Sequence, residues 1–189
     1  MMKSKEKIIQ YLKTFGSTEN DILNVEFFIN HRVDPVLLNL ITDDFIRMLS
    51  KNDFDLILTV ESSGIPFATA LSLKTNKPMI FLKKKKPITM KDYYEVETFS
   101  FTKKETTKLY LSKSLKIERS KVVFIDDFFA TGNVYNAVIE LSKISNFEIV
   151  RYLVIINKSD NPNINSILNK QDIEKILYEV KRNKDQSSN

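Results

Sequence analysis

The chain has 189 residues, of which 42% are hydrophobic, and it contains no cysteine. This predicts a single domain with a core of its own and excludes disulfides and thiolate chemistry. His31 is the only histidine, which nearly excludes zinc sites and histidine-based triads. The net charge is +5, with 24 acidic residues against 29 basic ones. Lysine is abundant along with asparagine and isoleucine, which indicates a compositional bias spread over the surface rather than nucleic-acid binding. Attraction of a small anionic substrate explains the surplus equally well.

The first residues are charged, and no long apolar run follows them. We therefore expect a cytoplasmic protein without a signal peptide or a membrane span. Apolar residues at helical spacing predict a first helix over residues 3–15. Asp34 as N-cap and Pro35 in the first turn predict the start of a second helix.

Strands and helices alternate over the rest of the chain. Predicted strands cover residues 54–60, 78–82, 121–126, 149–156 and 173–180. Helices are predicted after the first of these strands, through about residue 74, and again after Gly132. Apolar strands that alternate with helices predict an α/β fold with a parallel sheet, whose ligands bind at the carboxyl ends of the strands.

Residues 84–116 interrupt this alternation. They are polar, rich in lysine and threonine, and include two alternating stretches, at residues 94–101 and 108–111. We interpret the segment as a flexible hairpin that covers the site. The tail, residues 181–189, is predicted to be disordered.

Two adjacent acids, Asp126 and Asp127, end the third predicted strand. Carboxylates at such a position can accept hydrogen bonds from the 2- and 3-hydroxyls of a ribose. They can also help to bind Mg²⁺, either directly or through water. A helix cap or a turn would explain one aspartate well, but two adjacent ones poorly.

A short loop with small and hydroxyl-bearing residues follows the acids and leads into a helix. Backbone N–H groups at the start of a helix bind phosphate, and the helix dipole adds to the attraction. Gly132 allows close approach of the backbone, and Thr131 adds a hydroxyl donor. The candidate phosphate-binding residues are Ala130, Thr131, Gly132, Asn133 and Val134. A ribose 5-phosphate would fit the acids and this loop together.

The acids and the loop, residues 122–134, resemble the phosphoribosyl pyrophosphate (PRPP) motif of type I phosphoribosyltransferases. That family places two acids after a hydrophobic strand and follows them with a short Thr-Gly loop. The resemblance implies the fold of that family and catalytic roles for Asp126 and Asp127 on the ribose side. Residues 130–134 would hold the 5-phosphate, although many members have Thr or Ser where this chain has Val134.

A second resemblance, to the bacterial xanthine phosphoribosyltransferases, extends from about residue 20 to residue 160. It is carried by the segments 28–35, 60–65, 81–86, 100–103 and 155–159. The resemblance implies a homodimer that transfers the 5-phosphoribosyl group of PRPP to xanthine, with Mg²⁺, and yields XMP and pyrophosphate. Within one domain it implies a hood (residues 1–34 and 160–180) and the flexible loop at residues 84–116.

Further site residues are carried over from this resemblance. It assigns Ser62, Ser63 and Gly64 to pyrophosphate, although a turn with capping serines explains the same residues. Lys83 or Lys84 would neutralise the pyrophosphate. The base-binding residues would be Leu23, Asn30 and Lys158, whereas we expect a structural role for His31.

Two departures leave the base open. The loop reads Ala-Thr-Gly where these enzymes usually read Ala-Asn-Gly, and Asn157 stands where they usually have Glu before the lysine. The alternatives are a hypoxanthine/guanine or adenine phosphoribosyltransferase, a PRPP-sensing purine regulator, or a binding module without this chemistry. About 20 residues precede the matching region, too few for the winged helix that such a regulator would add.

Overall fold

The computed structural model describes residues 4–15, 18–19, 22–23, 32–49, 54–100 and 105–187. Helices and strands alternate through most of this chain. In chain order the elements are α1 (Ser4–Phe15), β1 (Thr18–Glu19), β2 (Ile22–Leu23), α2 (Pro35–Met48), β3 (Leu56–Val60), α3 (Ile65–Thr75), β4 (Met79–Leu82), β5 (Tyr93–Ser100), β6 (Glu105–Ser112), β7 (Lys121–Phe129), α4 (Asn133–Ile144), β8 (Glu148–Asn157), β9 (Ile164–Leu168) and α5 (Lys170–Ser187).

The centre of the fold is a parallel five-stranded sheet in the order β4-β3-β7-β8-β9. All five residues of β3 are buried, as expected for a strand that is covered on both faces. β5 and β6 form a separate antiparallel hairpin, and β1 pairs with β2. The predicted parallel α/β fold is therefore confirmed.

Each face of the sheet has its own apolar cluster. On one face, residues of α1, α2, α3 and α5 pack against Ile57, Val123 and Ile155. On the other face, residues of α4 and of the β5–β6 hairpin pack against Leu58, Phe124 and Val154. The hairpin is thus held by buried side chains, which fixes it beside the carboxyl ends of the strands.

The strand assignment near the C-terminus was wrong. The strand predicted at residues 173–180 is part of helix α5, because its buried residues Ile173, Ile176 and Val180 recur at helical spacing. The fifth strand of the sheet is instead β9, which the asparagine-rich sequence around it obscured. Residues 181–187, predicted to be disordered, continue α5.

The strand predicted at residues 121–126 is longer than expected. β7 runs to Phe129, and its last residues pair with β8 through Phe129 and Asn157. Asp126 and Asp127 therefore lie within the strand rather than after it. No helix in the described part of the chain combines the length and the apolar character that a membrane span requires.

The start of α2 follows the prediction closely. Asp34 Oδ1 accepts hydrogen bonds from the backbone N–H groups of Val36 and Leu37, each at 2.9 Å. Its other oxygen accepts one from the hydroxyl of Tyr11 at 2.6 Å, which joins α1 to α2. The hydrogen bond from Tyr11 and those from the backbone lower the pKa of Asp34.

We predict that Asp34→Ala lowers the free energy of unfolding by about 1–2 kcal/mol at pH 7, because a helix cap is lost. A carboxyl whose pKa is lowered in the folded state stabilises the protein fully above its unfolded pKa of about 3.9. The part of the loss that comes from the charge of Asp34 should therefore disappear as the pH falls through the lowered pKa that this carboxyl has in the folded protein. Urea denaturation at pH 7 and at acidic pH measures both effects.

Glu118→Ala, which removes an exposed turn carboxylate, is the control and should change the free energy of unfolding little. A deficit for Asp34→Ala that stays constant down to pH 2 would contradict the role of the charge.

Candidate functional site

A cavity of about 570 Å³ opens at the carboxyl ends of β3 and β7. It lies between two strand ends on one side and the β5–β6 hairpin on the other. Its lining residues are Val60, Glu61, Ser63, Lys84, Lys85, Thr98, Phe99, Thr106, Thr107, Lys108, Leu109, Tyr110, Asp126, Asp127 and Val134. Three regions that the sequence separates widely therefore meet around one space, as the parallel sheet predicts.

The acid pair forms one wall of this cavity. Asp126 and Asp127 are only 9% and 8% exposed. Oδ1 of Asp126 accepts the N–H of Asp127 at 3.0 Å, and Oδ1 of Asp127 accepts the N–H of Phe128 at 2.9 Å. Burial, followed by the charge of Asp127, raises the pKa of Asp126 well above its ordinary value. Such a pair favours hydroxyl donors or a cation beside it.

The loop after the acids borders a second, smaller cavity of about 160 Å³. Ala130, Thr131, Gly132, Asn133 and Val134 all line this cavity, and Val134 lines the larger one as well. Gly132 has a φ of +79°, which favours glycine, and α4 begins immediately after it. In the described structure no side chain caps this helix, so its first N–H groups remain open to an anion.

The turn between β3 and α3 supplies a second wall, next to the acid pair. Ser63 and Glu61 line the large cavity, whereas Ser62 and Gly64 are not among its lining residues. The peptide bond between Glu61 and Ser62 is cis. A Cβ at Gly64 would overlap Oγ1 of Thr59 and lie 3.3 Å from the carbonyl oxygen of Ile125. Only glycine lets this turn pack so closely against β3 and β7.

Glu61 fixes the exit of β4 beside this turn. Its carboxylate is 2.6 Å from Nζ of Lys83 and accepts the backbone N–H of Lys84 at 2.5 Å. Burial alone would raise the pKa of Glu61, but the hydrogen bonds from Lys83 and Lys84 outweigh it and lower the pKa. The ammonium of Lys83 also lies 5.1 Å from the centroid of the Phe81 ring.

The two lysines singled out from the sequence thus have different surroundings. Lys83 is paired with Glu61 and is not a lining residue, whereas Lys84 lines the cavity. The positive charge of Lys84 acts to lower the pKa of Asp126, against the larger effects of burial and of Asp127. Lys85, not singled out from the sequence, also lines the cavity.

The hairpin forms the remaining wall, on the side where a covering segment was predicted. Its Thr98, Phe99, Thr106 and Thr107 line the large cavity. Oγ1 of Thr98 is buried without a hydrogen-bond partner among the described residues. The threonines were missed from the sequence because alternation shows which residues share a face but not what that face contacts.

Lys158 follows β8, and its N–H donates to the carbonyl of Phe129 at 2.8 Å. Its ammonium lies 5.4 Å from the centroid of the Phe128 ring, and burial lowers the pKa of Lys158. Lys158 is not a lining residue of the large cavity. Leu23 lies in β2, whereas Asn30 and His31 lie outside the described residues. The base-binding roles of Leu23, Asn30 and Lys158 therefore stay predictions.

Residues 40–184 match the model of the phosphoribosyl transferase domain family. The chain is 35% identical over 167 residues to a xanthine phosphoribosyltransferase of Clostridium novyi (strain NT), covering 88% of this chain and 86% of that protein. It is 34% identical over 155 residues to a xanthine phosphoribosyltransferase of Oceanobacillus iheyensis, covering 82% and 78%. The chain belongs to the phosphoribosyltransferase family.

Solved structures show the same fold at lower sequence identity. Adenine phosphoribosyltransferase from Saccharomyces cerevisiae superposes with a TM-score of 0.69 at 21% identity, over 86% of this chain and 99% of that one. The enzyme from Giardia lamblia gives a TM-score of 0.71 at 12% identity, over 89% and 98%. At these identities the likeness to the two adenine enzymes shows the fold alone. The likeness to the two xanthine enzymes is one of sequence.

We predict that Gly64→Ala lowers the free energy of unfolding by about 1–3 kcal/mol, because the new methyl group overlaps Thr59. Thr59→Ala removes the overlapping hydroxyl and should restore part of the loss in the double variant. A double-mutant cycle by urea denaturation measures this coupling. Strictly additive effects of the two substitutions would contradict the close contact.

Proposed function

We propose that this protein is a purine salvage phosphoribosyltransferase that transfers the 5-phosphoribosyl group of PRPP to xanthine and releases XMP and pyrophosphate. The observation that carries the proposal is the single cavity in which Asp126 and Asp127 face the turn of Ser63 and the charge of Lys84. Relatives that carry the name xanthine phosphoribosyltransferase and match most of the chain support the choice of base.

The ribose would lie against the acid pair. The carboxylates of Asp126 and Asp127 can accept hydrogen bonds from its 2- and 3-hydroxyls, which compensates for their burial. The 5-phosphate would lie in the smaller cavity, where the N–H groups at the start of α4 and the hydroxyl of Thr131 can donate to it. Val134 has no hydroxyl to add to this set.

The pyrophosphate would lie at the turn between β3 and α3. Backbone N–H groups of Ser62, Ser63 and Gly64 precede α3, at whose start no side chain caps the helix in the described structure. Lys84 would supply the main cationic side chain, because Lys83 is already paired with Glu61. The group that leaves the sugar is thereby stabilised as its negative charge develops.

Mg²⁺ fits this site as a partner of PRPP rather than as an ion held by the protein alone. Asp126 and Asp127 are neighbouring buried carboxylates, but no cluster of three or more ligating side chains occurs among the described residues. Asp126 or Asp127 would therefore hold the ion directly or through water, together with oxygens of PRPP. Bound there, Mg²⁺ would supply positive charge beside the pyrophosphate.

The reaction needs little covalent chemistry from the protein. The bond between the anomeric carbon and the pyrophosphate oxygen breaks, and a purine nitrogen forms the new bond and releases its proton to pyrophosphate or water. The transition state resembles an oxocarbenium ion. The protein positions the two substrates and stabilises the departing charge. Hydrolysis of PRPP competes with transfer, so the hairpin that covers the cavity would act to exclude water.

The base would lie near Lys158, Leu23 and Asn30. Hydrogen bonds from a charged donor are the stronger kind, so the ammonium of Lys158 would favour a base with an accepting carbonyl. We also propose that the protein acts in the cytoplasm as a homodimer without nucleic-acid or membrane partners.

A panel of bases with PRPP and Mg²⁺ tests the proposal. We predict a kcat/KM for xanthine that exceeds those for hypoxanthine, guanine and adenine by about tenfold or more, as one charged hydrogen bond would support. Pyrophosphate release and nucleotide formation are measured together. Equal or better use of another base would overturn the choice of xanthine, and no use of PRPP would overturn the whole assignment.

Asp127→Asn should lower the kcat/KM of this reaction by about tenfold or more, because the amide cannot replace the charge beside the ribose and the cation. Asp92→Asn, on an exposed bend before β5, is the matched control. PRPP binding that survives Asp127→Asn unchanged would favour a binding module of another kind.

Lys84→Met should raise the KM for PRPP by about 10- to 100-fold, since a hydrogen bond to a charged group is lost. Lys86→Met is the control, because the ammonium of Lys86 lies 4.9 Å from the centroid of the Tyr93 ring. The KM is measured at saturating xanthine. An unchanged KM in Lys84→Met would show that another lysine meets the pyrophosphate.

A further inference from the structure

Asn133 connects two walls of the site that are far apart in the sequence. It is the first residue of α4, directly after Gly132 in the phosphate loop. Its side-chain Nδ2 donates a hydrogen bond to the backbone carbonyl of Phe99 in β5 at 2.9 Å. The side-chain amide is thus engaged with the hairpin, and the backbone N–H of Asn133 remains the group through which this residue can meet a phosphate.

The hydrogen bond joins the hairpin to the phosphate loop (residues 130–134) at Phe99, which lines the cavity. Nearer its base, the hairpin is bonded to the segment that follows β4. The backbone groups of Tyr110 in β6 and of Lys83 exchange two hydrogen bonds, of 3.0 and 2.9 Å. Its side chains Val96, Leu109 and Leu111 are buried in the second apolar cluster. Phe99 lies farther along β5, and its side chain is 43% exposed. The hydrogen bond from Asn133 thus meets the hairpin at a residue that is less buried than Val96, Leu109 and Leu111.

Phe99 also lies between the two cavities. It lines the large cavity beside the acid pair and the small cavity beside the phosphate loop. A shift of β5 at this point would move Phe99 and the neighbouring Thr98 together, and both belong to the wall opposite Asp126. The bond from the loop that would hold the 5-phosphate therefore reaches β5 at the residue that both cavities share.

We propose that Asn133 is a positioning residue that anchors the β5–β6 hairpin to the phosphate loop, so that a ligand phosphate on the loop also fixes the wall that excludes water. The catalytic consequence of the anchoring rests on the function proposed above, whereas the anchoring of the hairpin does not. It adds a role for the side chain of Asn133, which holds the hairpin, while the backbone N–H keeps the phosphate-binding role expected from the sequence.

Amide hydrogen exchange measures the anchoring without any ligand. In Asn133→Ala, the amides of residues 93–100 should exchange about two- to tenfold faster than in the wild type, the range that one net hydrogen bond supports. Residues 65–75 of α3 serve as the internal reference. Asn136→Ala is the matched control, because Asn136 is exposed on the same helix one turn later, and its exchange should equal that of the wild type.

The catalytic consequence is measured on the same variants with PRPP and Mg²⁺. Asn133→Ala should raise the ratio of PRPP hydrolysis to transfer by about two- to tenfold, while Asn136→Ala leaves it unchanged. Asn133→Gln keeps the amide on a longer side chain and should recover part of both effects. Asn133→Ser, a smaller change, replaces Asn133→Ala if the latter does not fold.

Two results would overturn the proposal. One is unchanged exchange in residues 93–100 for both Asn133→Ala and Asn133→Ser. The other is weaker PRPP binding with unchanged exchange, which would make the side chain a direct phosphate ligand. Absence of any PRPP turnover by the wild type would refute the proposed function instead, and the exchange experiment would still decide the anchoring.

Discussion

The site depends on two carboxylates that are buried at the end of a strand. β7 is apolar from Val122 to Ile125 and then places Asp126 and Asp127 side by side, each less than a tenth exposed. Two buried carboxylates repel each other and lose hydration, so the pKa of Asp126 rises and the pair stays unfavourable until hydroxyl donors or a cation meet it. The remaining walls supply groups of complementary character: hydroxyls, open backbone N–H groups and the cation of Lys84.

The walls come together because parallel strands end at the same edge of the sheet. The pairing of β3 with β7 and with β4 brings the turn at Glu61 beside the acids and beside the lysines that follow β4. Gly64 makes the approach possible, since a larger residue would overlap Thr59. Glu61 makes the two adjacent lysines different, because it forms an ion pair with Lys83 while Lys84 lines the cavity. A single carboxylate thereby arranges both the turn and the basic segment.

Much of the fold could be predicted from the sequence. The strands at β3, β4, β7 and β8 and the helices after β3 and β7 were found because their apolar residues follow a clear period. The errors in secondary structure occurred at β9 and α5, where the spacing of the apolar residues was harder to recognise. Asparagines around Ile164 concealed β9, and the residues from Ile173 to Val180 show helical spacing that was interpreted as alternation. The acid pair and the candidate phosphate loop were predicted from local order, because the chemistry expected of them is contained in consecutive residues.

The sequence by itself determined the class of site: adjacent acids, a Thr-Gly loop before a helix and a lysine run after a strand are local patterns with local physical meaning. Only the tertiary structure decided which residues share the cavity. The contact of Glu61 with Lys83 and the bond from Asn133 to Phe99 join residues more than twenty positions apart. The difference between Lys83 and Lys84 and the place of the hairpin threonines also depend on distant parts of the chain. Such contacts follow from strand order and helix packing, which no short segment of the chain specifies.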